Sequence, residues 1–273
     1  MNSLGRALQV LEILGRQPCG LTNAQISRHL GIATSSCSYL LNQLEQEGCV
    51  SREPETGRYE VGMRLVALAN GAMRASGFRR LSGPVMYQLA NDTHLTVAIS
   101  TLGRDGVLFL ERVDYPDTSE FHSSSSAAGQ SRTSRAPSGK SWVGYQITIG
   151  SIMPFLTTAS GRVLLASLSR SQALEMLNRE SGNGSEPPNL GPELWHELAA
   201  IRQQGYAVLS RPNFRSIAAP IAGPAGVTCA VLAITGPLSQ PAWAEMDHLI
   251  SLVKAAAKEI SRRIANRPRA KYP

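Results

Sequence analysis

Three groups of residues in this chain have side chains and spacings with chemical potential, and none is arranged to break a covalent bond. The first begins at Thr34 and continues through Ser35, Ser36, Ser38, Tyr39, Asn42 and Gln43, in a stretch where Cys37, Leu40, Leu41 and Leu44 share one helical face. Amides of Asn and Gln pair with the edge of adenine, and hydroxyls can donate to or accept from either strand. This uncharged face therefore suits the major groove of a duplex. The second group is Arg52 and Arg58, on either side of Glu53-Pro54-Glu55-Thr56-Gly57. Guanidinium groups at the tip of a hairpin meet phosphates or the minor groove without reading sequence. The third is Thr158-Ala159-Ser160-Gly161, followed by an apolar run to Ala166. Hydroxyls before such a run mark a helix start, where free N–H groups and the dipole favour a carboxylate or other anion. Each group also has a plainer account, as a solvated helix face, a solvated turn or an ordinary helix cap.

Other chemistries lack residues. His29, His94, His122, His196 and His248 lie in no G-x-S-x-G, H-E-x-x-H or phosphate-loop context, so no catalytic residue and no enzyme activity is expected. Four cysteines at 19, 37, 49 and 229 form neither a disulfide framework nor a zinc spacing; no metal or other cofactor is expected. No stretch approaches the ~18–20 uninterrupted apolar residues of a membrane span, and the first twenty residues mix charge into apolar positions, unlike a signal peptide. The expectation is a soluble, cytoplasmic protein. Its net charge of +7 is unevenly placed: +3 over residues 1–80, −2 over 81–253 and +6 over 254–273. The 273 residues leave room for about two domains.

The elements that must hold the first two groups follow from local signals. Leu4, Ala7, Leu8, Leu11 and Leu14 recur at helical spacing until Pro18 and Gly20. Thr22-Asn23-Ala24-Gln25 is a capping-box sequence opening a short helix that Gly31 stops. Thr34-Ser35-Ser36 offers the cap of a third helix ending near Gly48. Residues 49–52 and 58–61 then read as two strands around a Pro- and Gly-bearing turn. Helix, capped helix, helix and basic hairpin in this order form a winged helix-turn-helix. Leu65, Val66, Leu68, Ala69 and Met73 make residues 62–76 an amphipathic linker helix, packed on a partner or on its own chain.

Beyond residue 80 strands and helices alternate. Residues 96–101 and 107–112 flank Gly103-Arg104-Asp105-Gly106, while residues 216–221 and 227–235 flank Gly223-Pro224-Ala225-Gly226; both pairs read as hairpins of one design. Another strand is expected over residues 142–149 and a last helix over about 242–264. Nine serines between 116 and 141 mark a solvated loop, with a lid as its alternative. The fold class is α+β, with an antiparallel sheet and helices at both ends of the second domain. Arg262, Arg263, Arg267, Arg269 and Lys271 read as a solvated helix end and tail, with DNA phosphates as the alternative.

With these elements in place, residues 3–76 resemble the winged helix-turn-helix of the IclR family of bacterial transcriptional regulators. The matching text is Leu4-Gly5-Arg6-Ala7-Leu8, then Leu44-Glu45-Gln46-Glu47-Gly48-Cys49-Val50, then Pro54-Glu55-Thr56-Gly57-Arg58-Tyr59 leading to Gly62-Met63-Arg64-Leu65. Gln204-Gly205-Tyr206-Ala207-Val208 and Ile217-Ala218-Ala219-Pro220-Ile221 resemble the family's effector-binding domain, of profilin-like or GAF-like fold. The resemblance implies four parts: a winged helix-turn-helix over 1–62, a linker helix over 63–78, an effector-binding domain over 79–266 with the Ser-rich insertion 116–141, and a basic tail over 267–273. It adds Arg6 to the DNA-facing residues. It implies that Thr158, Ala159, Ser160, Gly161, Ser216, Ala233 and Thr235 bind a small-molecule effector, and that two or four copies assemble. The chain departs from the family in two places. Its recognition helix opens without a basic residue, and Leu209-Ser210-Arg211-Pro212-Asn213 lacks the acid that several members carry there, so Arg211 would favour an anion. The expected function is a ligand-responsive, sequence-specific regulator that binds an operator in double-stranded DNA and is modulated by a small organic acid or aromatic metabolite. The alternative is an architectural nucleic-acid-binding protein whose second domain serves assembly only.

Overall fold

The computed structural model describes residues 2–115, 147–181 and 191–266. Its chain divides between Gly77 and Phe78 into two units. The first begins with α1 (Ser3–Gly15), whose leading N–H of Gly5 is taken by the Asn2 side chain at 2.9 Å. In α2 (Asn23–Leu30) the capping box closes both ways: Gln25 N–H donates to the Thr22 hydroxyl, and Thr22 N–H to the Gln25 side chain at 2.9 Å. Gly31 ends the helix with φ 63°, a backbone conformation that glycine adopts without strain.

α3 (Thr34–Gln46) starts differently from expectation. Its N-cap is Ala33, with no side-chain cap. The Thr34 hydroxyl turns to the Ser27 hydroxyl at 3.5 Å, and its carbonyl accepts from Asn23 Nδ2 at 3.3 Å. Thr34 thus ties the two helices across the turn, and as the first helical residue it stands one position past the cap. Val10, Leu14, Leu21, Ile26, Cys37, Leu40, Leu41, Val50 and Tyr59 bury to form the core. Leu4 and Leu8, expected to share the buried face of α1, are 68% and 48% exposed; the covered face is rotated toward Val10. β1 (Val50–Arg52) and β2 (Tyr59–Val61) pair antiparallel, Val50 opposite Val61, and Leu21 bridges to the outer side of Tyr59. α4 (Arg64–Ser76) follows, with Val66 58% and Leu68 55% exposed.

The second unit is built on one antiparallel sheet of order β5-β4-β3-β8-β7-β6. Both expected hairpins form, β3 (Thr96–Leu102) with β4 (Val107–Val113), and β7 (Phe214–Ala222) with β8 (Thr228–Pro237). β5 (Ile152–Met153) and β6 (Ala207–Ser210) close the two edges. Residues 142–146 of the expected strand 142–149 lie outside the described residues, and 147–149 form none. Gly150, at φ 88°, turns the chain there; its N–H donates to the Phe109 carbonyl of β4 at 2.8 Å, and the paired strand begins at Ile152.

Alternation gives the sheet two apolar faces. α5 (Phe78–Thr93) and α9 (Met246–Ala265) cover one, over Val97, Ile99, Ile217, Leu232 and Ile234. α6 (Ala159–Ser167), α7 (Arg170–Ser181) and α8 (Pro192–Gln204) cover the other, over Ala98, Phe109, Ala218, Val231 and Ala233. A β-bulge interrupts the alternation: Ile99 pairs with Glu111 but Ser100 with Phe109, leaving Leu110 extra. After the bulge Glu111 meets Arg79 of α5 at 3.4 Å, while Arg112 reaches the Ile147 carbonyl and Asp114. Burial pushes the Glu111 carboxyl above its usual range, and Arg79 pulls it back. The Ser-rich segment 116–141 and residues 267–273 lie outside the described residues. Arg262 and Arg263 are both bonded to Glu259, as fits a helix end.

Candidate functional site

On α3 the buried Cys37, Leu40 and Leu41 turn the opposite side to solvent. Thr34, Ser35, Ser36, Tyr39, Asn42 and Gln43 are exposed and Ser38 is half-buried. The Tyr39 ring is 66% exposed, and its hydroxyl accepts from Gln43 Nε2 at 2.9 Å, which aligns two side chains one turn apart. Arg6 on α1 shares a depression with Ser35, Ser36 and Tyr39, so the set gains one cation. The wing differs from the sequence expectation at one arginine. Arg52 is exposed, with its guanidinium 5.6 Å from the Tyr59 ring centre. Arg58 is half-buried and donates to the Gly20 carbonyl at 3.0 Å. It holds the wing to the loop before α2, a role its position beside the turn does not reveal.

The third group forms a pocket within the second unit. Thr158 caps α6, accepting from Gly161 N–H at 2.9 Å. Around this helix start stand Thr157, Thr158, Ala159 and Ser160, with Ala98 of β3, Phe109 of β4, Phe214 and Ser216 of β7, Ala233 and Thr235 of β8, and Ile147. They enclose about 440 Å³ of space, part of it open to solvent. Six of the seven sequence-derived residues line it. The seventh, Gly161, lies behind the wall, where a Cβ would fall 2.1 Å from the Phe155 carbonyl oxygen. That close approach requires glycine. The Phe155 N–H is held in turn by the Glu180 carboxylate at 3.2 Å. Burial pushes the Glu180 carboxyl up, the Phe155 bond lowers it, and Asp105 raises it again.

The hydroxyls of the pocket are not equivalent. Ser216 donates to the Ile234 carbonyl at 3.0 Å, Thr235 to the Arg215 carbonyl at 3.2 Å and Thr157 to Pro154 at 3.0 Å. Their protons are committed inside the fold. Ser160 is 3% exposed, lines the pocket, and its hydroxyl bonds to no described residue. Among the described residues, no lining side chain is charged. Arg211 is exposed and is not among the described walls of the pocket. Sequence reasoning missed Ala98, Phe109, Ile147, Thr157 and Phe214. Phe214 was within reach, since it lies two residues before Ser216 on the same strand face.

Among the described residues no cluster of His, Cys, Asp or Glu could hold a metal ion, and no helix is long and apolar enough to cross a membrane. A winged helix-turn-helix with an exposed polar recognition helix, joined to a sheet domain with its own pocket, defines a transcriptional regulator with separate DNA-binding and sensor parts.

The chain belongs to the IclR family of bacterial transcriptional regulators. The IclR helix-turn-helix domain matches residues 3–54, and the Bacterial transcriptional regulator IclR C-terminal domain matches residues 137–262. The HTH-type transcriptional regulator XynR of Escherichia coli is 26% identical over 268 residues, covering 96% of each chain. The IclR family transcriptional regulator of Brucella abortus has the same fold at a TM-score of 0.73 and 20% identity, over 97% of this chain and 92% of that one. An IclR homolog of Microbacterium hydrocarbonoxydans, complexed with 4-hydroxybenzoate, superposes with a TM-score of 0.69 at 23% identity, over 96% and 99%.

Proposed function

We propose that this regulator binds its operator through the α3 face, with Arg6 and Arg52 supplying phosphate contacts, and that a small organic monoacid in the pocket adjusts that binding. The observation carrying the ligand half is Ser160: a residue 3% exposed at a helix N-terminus, whose hydroxyl bonds to no described residue, in a pocket whose other described walls are apolar or internally bonded. A carboxylate there gains the hydroxyl and the helix start together. Phe109 and Phe214 give the remainder of the ligand an apolar and aromatic surround, and the solved relative carrying 4-hydroxybenzoate holds a ligand of this type. The sensor binds but does not transform its ligand. Leu4, Leu8, Met63, Val66 and Leu68 are uncovered within one chain, which supports assembly into a homodimer or homotetramer.

Selection of bound fragments from the source genome at ~150 mM salt tests the DNA half, with a Ser36/Tyr39 double-alanine variant in parallel. One palindromic site, lost in the variant, is expected. Diffuse enrichment retained by the variant would move the architectural reading ahead. A panel of aliphatic and aromatic monocarboxylates, titrated against the selected site, tests the ligand half. Binding that leaves operator affinity unchanged would sink the coupling.

A further inference from the structure

The C-terminal end of α3 and the start of α4 are separated in sequence by the whole wing, yet they touch. Arg64, the first residue of α4, donates to the Glu47 carbonyl at 2.6 Å and pairs with the Glu47 carboxylate. Glu47 is the residue that ends α3. Gly62 N–H donates to the Cys49 carbonyl at 2.8 Å. A Cβ on Gly62 would lie 2.2 Å from the Gly48 carbonyl oxygen, so the two backbones meet at a distance no side chain allows. Gly48, at φ 66°, is itself fixed, because its N–H and that of Cys49 return to Glu45 and Leu44 of α3 at 2.9 and 2.8 Å. The Arg64 stem then packs over Gly48.

From this geometry we infer that Arg64 and Gly62 make α3 and α4 one rigid body, with Arg64 the positioning residue that fixes the angle between recognition helix and linker. Without the joint, a change of angle in the linker would be absorbed by the wing connection before it reached α3. With it, the orientation of α4 becomes the orientation of α3. In a dimer the two α4 helices then set how far apart the recognition helices lie, and so which half-site spacing is accepted. This inference rests on the operator-binding dimer proposed above. The ion pair is half exposed, at 50% and 66% for its two side chains, so salt screens its attraction; its part is to set direction while the backbone contacts resist displacement.

The test is selection from a random DNA pool with the full-length wild type, Arg64→Met, which keeps the stem but loses both bonds, and Arg64→Lys, which restores a cation. The wild type should select one spacing and discriminate by about tenfold or more against sites longer or shorter by one base pair. Arg64→Met should keep the same half-site bases while that discrimination falls to about threefold or less, and Arg64→Lys should recover part of it. Thermal unfolding of each variant runs beside the selection. Arg64→Met with wild-type spacing discrimination overturns the joint, and so does an equal loss of affinity on every spacing, which would mark Arg64 as merely stabilising. A wild type that selects no site refutes the operator-binding proposal beneath it.

Discussion

Removing the Ser160 hydroxyl should separate ligand binding from folding. In the free protein it makes no hydrogen bond to a described residue, although the residue is 3% exposed. Ser160→Ala should therefore leave unfolding free energy within about 0.5 kcal/mol of wild type. A hydrogen bond to a carboxylate contributes about 1.5–3 kcal/mol, so the variant should bind its acid about 10- to 150-fold more weakly. Ser216→Ala and Thr235→Val should behave in the opposite way. Each removes a bond already made within the sheet, to Ile234 and Arg215, and should cost about 1 kcal/mol of stability. Their ligand affinities should stay within about threefold of wild type, because their protons were never free to meet a ligand. Urea unfolding gives the stability column, and isothermal titration with the tightest monocarboxylate of the panel gives the affinity column. If Ser160→Ala unfolds early but binds normally, or if Ser216→Ala loses binding as severely as Ser160→Ala, the hydroxyl accounting is wrong.

Other substitutions bear on neighbouring parts of the argument. Gly161→Ala should destabilise by about 3 kcal/mol or more, since the Phe155 carbonyl must move from a Cβ placed 2.1 Å away, and ligand binding should fall with it; chemical denaturation and titration check both. Thr22→Ala opens the capping box of α2 and should cost about 1 kcal/mol in denaturant unfolding of the DNA-binding unit. Arg58→Ala should lower stability as well as DNA affinity, because its guanidinium holds Gly20, whereas Arg52→Ala should weaken all DNA sequences alike at unchanged stability. Paired unfolding and DNA titrations separate the two. Hydrogen bonds from Arg262 and then Arg263 hold the Glu259 carboxyl down to about 2 from 4.5. The stabilisation from a depressed carboxyl is present above the unfolded value and fades as pH falls from about 4.5 toward 2. Glu259→Gln should remove that part of the acid sensitivity in urea unfolding followed from pH 6 to pH 2.

What the sequence revealed was what depends on neighbours along the chain. The reciprocal cap of Thr22 and Gln25, the Gly31 stop, both Gly-x-x-Gly hairpins and the Thr158 helix start all rest on contacts within a few residues. Ser160 was legible for the same reason. What remained hidden depends on partners far away in sequence. Nothing local says that Thr34 turns toward Ser27, that Arg58 bonds Gly20, or that Leu4 and Leu8 stay uncovered while Val10 is buried. The pocket walls Phe109 and Ile147 belong to segments brought together only by strand register and by the bulge opposite Ile99. A one-residue shift of register would send such side chains to the other face, and no periodicity count detects a bulge of one residue.

Ala98 and Ala233 face each other on β3 and β8, both nearly buried and both lining the pocket. Alanine and valine codons differ only at their second base, so a single nucleotide change at either position would add two methyl-sized groups to the space a ligand needs. Cross-strand valines suit a sheet, and the strands themselves should tolerate the change. The pair is therefore where a lineage could most readily alter, or silence, what its sensor hears while the operator-reading half is inherited intact.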